Sequence, residues 1–189
     1  MILTDREIKQ YLDAKQIILD PMPGEEAFSA TTVDLTLGST IQEWIPQDST
    51  AIIHPASPSY SAAKTIAQYT RAIEITNGYV VKPQQFVLAW TAERVSLPKT
   101  SKIAARVEGK SSLARIGIGV HVCAPTVHPG FNNHLQLEMC NHGLINVELR
   151  PGMKICQLIF ELTYGTPRIA YDGQFQHQTP PQAQPPLKN

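Results

Sequence analysis

The chain has 189 residues, of which 42% are hydrophobic and 17% charged, and this length suits one domain with a sizeable core. Lys and Arg together number 16, as do Asp and Glu, and the net charge of zero argues against binding to duplex nucleic acid. No apolar run approaches the ~20 residues that span a bilayer and the N-terminus lacks a signal peptide's apolar stretch, so we expect a cytoplasmic protein without membrane contact.

The first third of the chain predicts two helices around one strand. Thr4 and Glu7 can form a capping box that begins a short N-terminal helix. Residues 31–38 alternate and are rich in β-branched side chains, which predicts a strand that ends in a turn at Gly38. Residues 59–73 have a helical composition and predict the second helix.

The rest of the chain predicts strands. Short apolar or β-branched segments separated by Pro and Gly turns lie at 79–81, 86–91, 102–107, 119–122, 135–140, 146–149 and 154–162. Many short strands with such turns are typical of an all-β barrel or a jelly-roll-like sandwich. We therefore predict a mainly β fold, with a single domain over residues 1–177 and a flexible Pro/Gln-rich tail over 178–189.

The cysteines give no sign of a metal site. Cys123, Cys140 and Cys156 are odd in number, widely spaced and without a Cys-x-x-Cys pair. Each lies in an apolar, strand-like context, which predicts three buried thiols.

The segment with the most chemical potential is residues 108–117, which read EGKSSLARIG. Its backbone N–H groups, two hydroxyls and two cationic side chains can all point at one polyphosphate. It is not a P-loop, because that motif needs a glycine five residues before Gly109, where Ala104 stands in an apolar strand. The alternative is a polar turn in which Ser111 or Ser112 caps a short helix.

Three more segments follow, at residues 119–131, 135–141 and 149–158. In order and spacing, the four segments resemble the dCTP deaminase and dUTPase superfamily, and within it the dCTP deaminase branch, over about residues 1–178. In this resemblance GKSSLAR is the phosphate-binding motif, VHVCA carries base contacts and LQLEMCN carries the catalytic glutamate. The resemblance implies a distorted, dUTPase-type β-barrel and a homotrimer with active sites between subunits.

The resemblance also implies catalytic roles. Glu138 would shuttle protons while water attacks C4 of cytosine. Strand alternation puts Gln136 on the same face, although a lone glutamate in a strand most often faces solvent. Ser111 would position the water or the base, and Arg115 would stabilise developing charge and touch the phosphates. The backbone carbonyl of Ala124 would orient the water or the amine.

The residues that the resemblance places at the substrate are Lys110, Ser112, His128, Gln136, Tyr171, Gln174 and Gln178. Two of these depart from the pattern of the family. His128 stands where an aspartate usually meets the deoxyribose 3′-hydroxyl, and a histidine can still donate to or accept from a hydroxyl. Gln174 stands where a lysine usually contacts the triphosphate. His121 is predicted to be a structural histidine at the end of a strand.

The predicted function is zinc-independent deamination of dCTP to dUTP and ammonia. Zinc nucleobase deaminases need a His-x-Glu motif, and none of the six histidines begins one. The expected ion is Mg2+ bound with the triphosphate. One alternative is a dUTP diphosphatase or a bifunctional enzyme that forms dUMP, but hydrolysis of dUTP needs no acid–base group at C4. The other is a catalytically inactive nucleotide-binding regulatory module.

Overall fold

The computed structural model describes residues 1–48, 50–169, 171, 173 and 179–182. It contains helices α1 (Asp5–Asp13), α2 (Ala62–Tyr69) and α3 (Ser111–Ala114), and a 3-10 turn at Glu25–Ala27. The strands are β1 (Ile18–Asp20), β2 (Phe28–Ser29), β3 (Thr32–Trp44), β4 (Thr70–Glu74), β5 (Tyr79–Val81), β6 (Phe86–Ser96), β7 (Ile103–Gly109), β8 (Ile118–Gly119), β9 (Thr126–Val127), β10 (Asn132–Asn141), β11 (Val147–Leu149) and β12 (Lys154–Leu162). The predicted mainly β fold with a short N-terminal helix is confirmed.

One antiparallel sheet organises the domain. Its main path runs β8-β10-β6-β3-β12-β7-β9, with β1 paired to β6 and with β2 and β4 paired to β3. β5 and β11 form a separate two-stranded ladder. The first part of β3 pairs with β12 and the second part pairs with β6 and β4, so this long strand joins the two halves of the curled sheet.

The predicted turn at Gly38 is wrong, because β3 continues through it to Trp44. The pairing with β6 shifts register between Leu37 and Ile41 instead of ending. A Cβ atom on Gly38 would lie 3.1 Å from the backbone oxygen of Trp90. The glycine therefore lets β3 pass close to β6 at the irregularity, and the strand stays in the sheet.

The predicted helix over 59–73 is only partly correct. α2 covers residues 62–69, and Ser61 accepts a hydrogen bond from the Lys64 backbone N–H at 3.4 Å between oxygen and nitrogen. From Thr70 onward the chain pairs with β3, from Thr70 opposite Trp44 to Glu74 opposite Thr40. Pairing with the long β3 overrides the local helical composition. No helix among the described residues is long and apolar enough to cross a membrane.

The N-terminal helix and the core follow the sequence closely. The backbone N–H of Thr4 donates to Oε2 of Glu7 at 2.9 Å, as the predicted capping box requires. α1 buries Ile8 and Leu12 in the core that the strands form. Phe160 of β12 is fully buried in the same core. The helix is thus held by both its cap and its apolar face.

The three cysteines have different environments, so the prediction of three buried thiols is wrong in part. Cys156 is buried, and burial raises the pKa of its thiol far above the usual range. Cys140 is half-buried, whereas Cys123 is exposed. Cys123 is exposed because the chain leaves the sheet after β8, so its apolar neighbours belong to a loop.

Candidate active site

Alternation along β10 gives its two faces different environments. Leu135, Leu137 and Met139 are buried in the core. Gln136 and Glu138 share the opposite face, as strand alternation predicts, and both are half-buried. Glu138 therefore does not lie on a fully solvated face, the more common position for a lone glutamate in a strand.

A cavity of about 490 Å³ opens onto this face of β10. Trp44 and Phe86 line it, with ring centroids 6.4 Å apart and ring planes inclined by 28°. Its walls include predicted site residues from four separate parts of the chain, namely Ala124, His128, Gln136, Glu138 and Tyr171. The cavity thus combines an aromatic surface with the predicted acid–base carboxylate, a composition that suits a planar polar ligand.

The loop over residues 120–125 forms the wall nearest to Glu138. We predicted a strand over 119–122, but β8 ends at Gly119, so this prediction is wrong beyond that residue. β8 pairs with β10, whereas the next strand along the chain, β9, pairs with β7. The chain between β8 and β9 must cross from one partner strand to the other, so it is not paired in the sheet. The backbone N–H of Val122 donates to Oε2 of Glu138 at 3.0 Å. This hydrogen bond fixes the carboxylate against the loop.

The far end of the loop is anchored to β7. The backbone N–H of Val107 donates to the oxygen of Pro125 at 2.8 Å. Ala124 is exposed between this anchor and Val122, on the cavity wall. His121 is half-buried, and its Nδ1 is buried without a hydrogen-bond partner among the described residues. Its structural role stays a prediction.

His128 and Tyr171 form an aromatic pair at another wall of the cavity. Their ring centroids are 5.8 Å apart and their planes are inclined by 20°. The backbone N–H of Tyr171 donates to the oxygen of Pro129 at 2.9 Å, and its ring also lies 6.1 Å from that of Phe131. These contacts hold Tyr171 on the 128–131 turn. Gln174 and Gln178 lie outside the described residues.

The predicted phosphate-binding segment surrounds α3. Ser111, Ser112 and Arg115 are exposed on this short helix or at its C-terminal end. The helix begins after Lys110, and no side chain caps it, so the alternative with a capping serine is wrong. Both hydroxyls and the guanidinium have no hydrogen-bond partner among the described residues, which leaves them available to an anion.

A buried carboxylate anchors the start of this segment. Asp34 of β3 has a side chain that is 6% exposed, and its Oδ1 contacts the ammonium of Lys110. Its Oδ2 lies 3.2 Å from Nζ of Lys154 on β12. Nε2 of Gln157 also donates to the oxygen of Gly109 at 3.1 Å. Side chains from two strands therefore position the segment.

The two groups of predicted residues do not meet within one chain. The cavity beside Glu138 is not lined by Lys110, Ser111, Ser112 or Arg115, all of which the structure describes. A single chain thus presents the acid–base half and the phosphate-binding half of the predicted site at separate places.

Similarity to known proteins shows the family to which the chain belongs. The sequence model of the family described as dCTP deaminase-like matches residues 2–163. The chain belongs to this dCTP deaminase-like family. It is 35% identical over 176 residues to the "dCTP deaminase, dUMP-forming" of Methanobrevibacter smithii, covering 88% of this chain and 87% of the relative. It is 36% identical over 163 residues to the "dCTP deaminase" of Rhodospirillum rubrum, covering 85% and 82% of the two chains.

A solved structure supports the fold of this dCTP deaminase-like chain. The 2′-deoxycytidine 5′-triphosphate deaminase of Agrobacterium tumefaciens aligns with a TM-score of 0.66 and 19% identity. The alignment covers 85% of this chain and 48% of that chain, so the match spans about half the length of the solved protein. At this identity the likeness concerns the fold alone.

Sequence reasoning missed several residues at the site of this dCTP deaminase-like chain. Asp34 carried a signal, since it is a lone acid inside the apolar, β-branched segment 31–38. Gln42 lies in the part of β3 beyond the predicted turn, so no strand was expected there. Trp44 and Phe86 were visible as aromatic residues, but nothing in their spacing connects them with Glu138.

The dCTP deaminase-like chain offers no cluster of ligands for a resident metal among its described residues. No group of three or more His, Cys, Asp or Glu side chains there is arranged to hold an ion. The prediction that Mg2+ enters with the triphosphate requires no such cluster, because the phosphate oxygens supply ligands.

Proposed function

We propose that this protein deaminates dCTP to dUTP and ammonia without zinc. The observation that carries the proposal is the position of Glu138, half-buried in a cavity and hydrogen-bonded to the backbone of the 120–125 loop at 3.0 Å. Membership of the dCTP deaminase-like family and the printed names of the relatives support the same reaction.

The reaction needs one group that moves protons beside C4 of cytosine. Water attacks C4, the ring nitrogen N3 gains a proton, and the C4–N bond breaks as the amine leaves protonated. Glu138 takes one proton from the attacking water and delivers it to N3, then takes the proton of the hydroxyl now on C4 and delivers it to the departing amine. The backbone carbonyl of Ala124, on the neighbouring wall, orients the water or the amine. The aromatic surface of Trp44 and Phe86 excludes water from the rest of the base.

The complete site requires a second copy of the chain. Ser111 and Arg115 are exposed and lie outside the cavity that contains Glu138, so they act on a nucleotide held in the cavity of a neighbouring subunit. We propose a homotrimer in which each site combines Glu138 of one chain with the α3 segment of the next. Ser112 and Lys110 of that segment bind the phosphates, with Lys110 held in place by Asp34.

The substrate of this proposal is the Mg2+ complex of the triphosphate. His128 and Tyr171 line the same cavity as Glu138, and they contact the sugar and the phosphates. Gln136 contacts the base. Gln174 and Gln178, outside the described residues, remain proposed contacts of the phosphates. The proposal also includes a single domain over 1–177, a tail over 178–189 and a cytoplasmic location.

The second candidate is a bifunctional enzyme that continues from dUTP to dUMP. It is favoured by one observation: a relative with the printed name "dCTP deaminase, dUMP-forming" is 35% identical to this chain, close to the 36% of a relative named "dCTP deaminase". Hydrolysis to dUMP would additionally release pyrophosphate.

A single assay distinguishes these reactions. Purified protein is incubated with Mg2+ and either dCTP or dUTP, and ammonia and pyrophosphate are measured separately. We expect ammonia from dCTP, and pyrophosphate only if the enzyme is bifunctional. Treatment with a zinc chelator should leave ammonia release unchanged, because the sequence contains no His-x-Glu motif. Pyrophosphate from dUTP without ammonia from dCTP would replace the proposal with a dUTP diphosphatase.

A further inference from the structure

A chain of hydrogen bonds leads from helix α2 to the cavity that contains Glu138. It begins at Thr70, where Oγ1 lies 2.6 Å from the backbone oxygen of Ile66. A carbonyl oxygen has no hydrogen to give, so the Thr70 hydroxyl must be the donor in this contact. The oxygen of Thr70 is then left to act only as an acceptor toward its other neighbour.

That neighbour is Gln42 of β3, which is 6% exposed. Its terminal amide lies 3.0 Å from Oγ1 of Thr70, and since Thr70 can only accept, the atom that faces it must be the donor Nε2. The orientation of the Gln42 amide is therefore fixed, and its Oε1 points to the next residue in the chain of hydrogen bonds.

The next residue is Gln136 of β10. Its amide lies 3.1 Å from Oε1 of Gln42, which can only accept, so Nε2 of Gln136 faces Gln42. Oε1 of Gln136 is left as a free acceptor, with no hydrogen bond to any described residue. Gln136 lines the cavity that contains Glu138, two residues further along the same face of β10.

We propose that this relay makes Gln136 a specificity-determining residue that favours a base with an exocyclic amine over one with an oxygen at the same place. The inference rests on the proposed function. The amine of cytosine donates a hydrogen bond to Oε1 of Gln136. Uracil presents an oxygen there, and two acceptors cannot form a hydrogen bond. The relay therefore favours binding of dCTP and release of dUTP.

Thr70 and Gln42 are positioning residues in this relay, because they act only through Gln136. Without the hydroxyl at position 70, Gln42 has no fixed donor end, and the amide of Gln136 can present either Oε1 or Nε2 to the cavity. The preference for an amino base would then be lost, while the apolar contacts of the base would stay. Ile66 joins the relay to α2, because its oxygen accepts from both the backbone N–H and the hydroxyl of Thr70.

The test compares Thr70→Val, which has a similar shape but no hydroxyl, with Thr70→Ser, which keeps the hydroxyl. Each is made in a Glu138→Gln background, which stops turnover, and dissociation constants for Mg-dCTP and Mg-dUTP are measured by calorimetry. With the relay intact, we expect dCTP to bind about tenfold more tightly than dUTP, the scale of one hydrogen bond. Thr70→Ser should keep this ratio, and Thr70→Val should bring it close to one.

Gln42→Met removes the middle residue of the same relay. It takes the place of Thr70→Val in the test if Thr70→Val does not fold. Equal ratios in the hydroxyl-free and hydroxyl-bearing variants would overturn the relay. So would a parent protein that binds dCTP and dUTP equally, or one that binds neither. The proposed function is tested separately, by release of ammonia from protein with Glu138 intact, so a protein without deaminase activity can still show the expected binding ratios.

Discussion

Asp34 and Lys110 form an ion pair that joins the middle of the sheet to the start of the proposed phosphate-binding segment. The carboxylate is almost completely buried and also lies 3.2 Å from the ammonium of Lys154. One buried acid thus pairs with two cations, of which Lys110 is half-buried and Lys154 is exposed. Loss of the acid would leave both ammonium groups close together without a counterion.

We therefore expect Asp34→Ala to destabilise the protein by about 1–3 kcal/mol, because it removes the shared acceptor of two cations. The cost stays moderate because both lysines can reach solvent in part. The measurement is the midpoint of urea unfolding. Glu25→Gln is the control, because it breaks an exposed ion pair with Lys9 and should cost less than about 1 kcal/mol. Equal losses of stability in Asp34→Ala and Glu25→Gln would show that the ion pairs of Asp34 contribute no more than an exposed ion pair.

Glu138→Gln should reduce ammonia release by about 10² or more, the scale of general acid–base catalysis, while dCTP binding is retained. Glutamine keeps the shape of the side chain and an oxygen that can accept from Val122, but it cannot shuttle protons. The control is Glu74→Gln, which changes an exposed glutamate in β4. Steady-state kinetics with calorimetry separates turnover from binding, and near-normal turnover in Glu138→Gln would exclude the carboxylate from the chemistry.

Sites between subunits predict complementation between two inactive variants. Glu138→Gln and Arg115→Ala lose opposite halves of the site, so in a randomly mixed 1:1 assembly about one quarter of the sites have both native halves. Ammonia release should recover to roughly that fraction of the native rate after the two proteins are unfolded and refolded together. Each variant refolded alone is the control. No recovery in assemblies shown to be mixed would place both halves of each site in the same chain.

His128→Asp should change the affinity for dCTP. An imidazole can donate to or accept from a hydroxyl, whereas a carboxylate can only accept. KM for dCTP, measured at one pH by steady-state kinetics, should therefore differ between the native protein and His128→Asp. His128→Asp also removes the stacking on Tyr171, so His128→Phe, which retains an aromatic ring, is the matched control. Identical KM values in all three proteins would mean that His128 does not meet the substrate.

The three thiols should react in the order of their exposure. At pH 8.5, near the usual thiol pKa of about 8.5, Cys123 is exposed and should be alkylated first. Cys156 should stay protonated and unreacted in the native protein, because burial raises its pKa. Mass spectrometry of peptides after timed treatment with iodoacetamide measures each site. Since the cavity is lined by Cys123 as well as Glu138, bound dCTP should slow alkylation of Cys123 but not of Cys140. Cys123→Ser is the control, and early loss of Cys156 would contradict the burial argument.

The local sequence pattern was sufficient to predict several elements of the structure. The capping box at Thr4 and Glu7 and the strand over Lys154–Leu162 need only neighbouring residues, and both formed as predicted. Alternation in LQLEMCN was enough to put Gln136 and Glu138 on one face of β10. The family was also readable, because four motifs keep their order and spacing along the chain.

Only the tertiary structure decided how these elements meet. β3 continues past Gly38, and residues 70–74 form a strand instead of the end of a helix, because each gains a partner strand that is distant in sequence. The same pairings bring Gln42 to Gln136, and the pairing of β12 with both β3 and β7 brings Asp34 to Lys110, which follows β7. Such contacts depend on which strands become neighbours, and local composition does not contain that information. The sequence by itself therefore determined the family and indicated most of the candidate site residues, while the sheet topology decided which of them lie together.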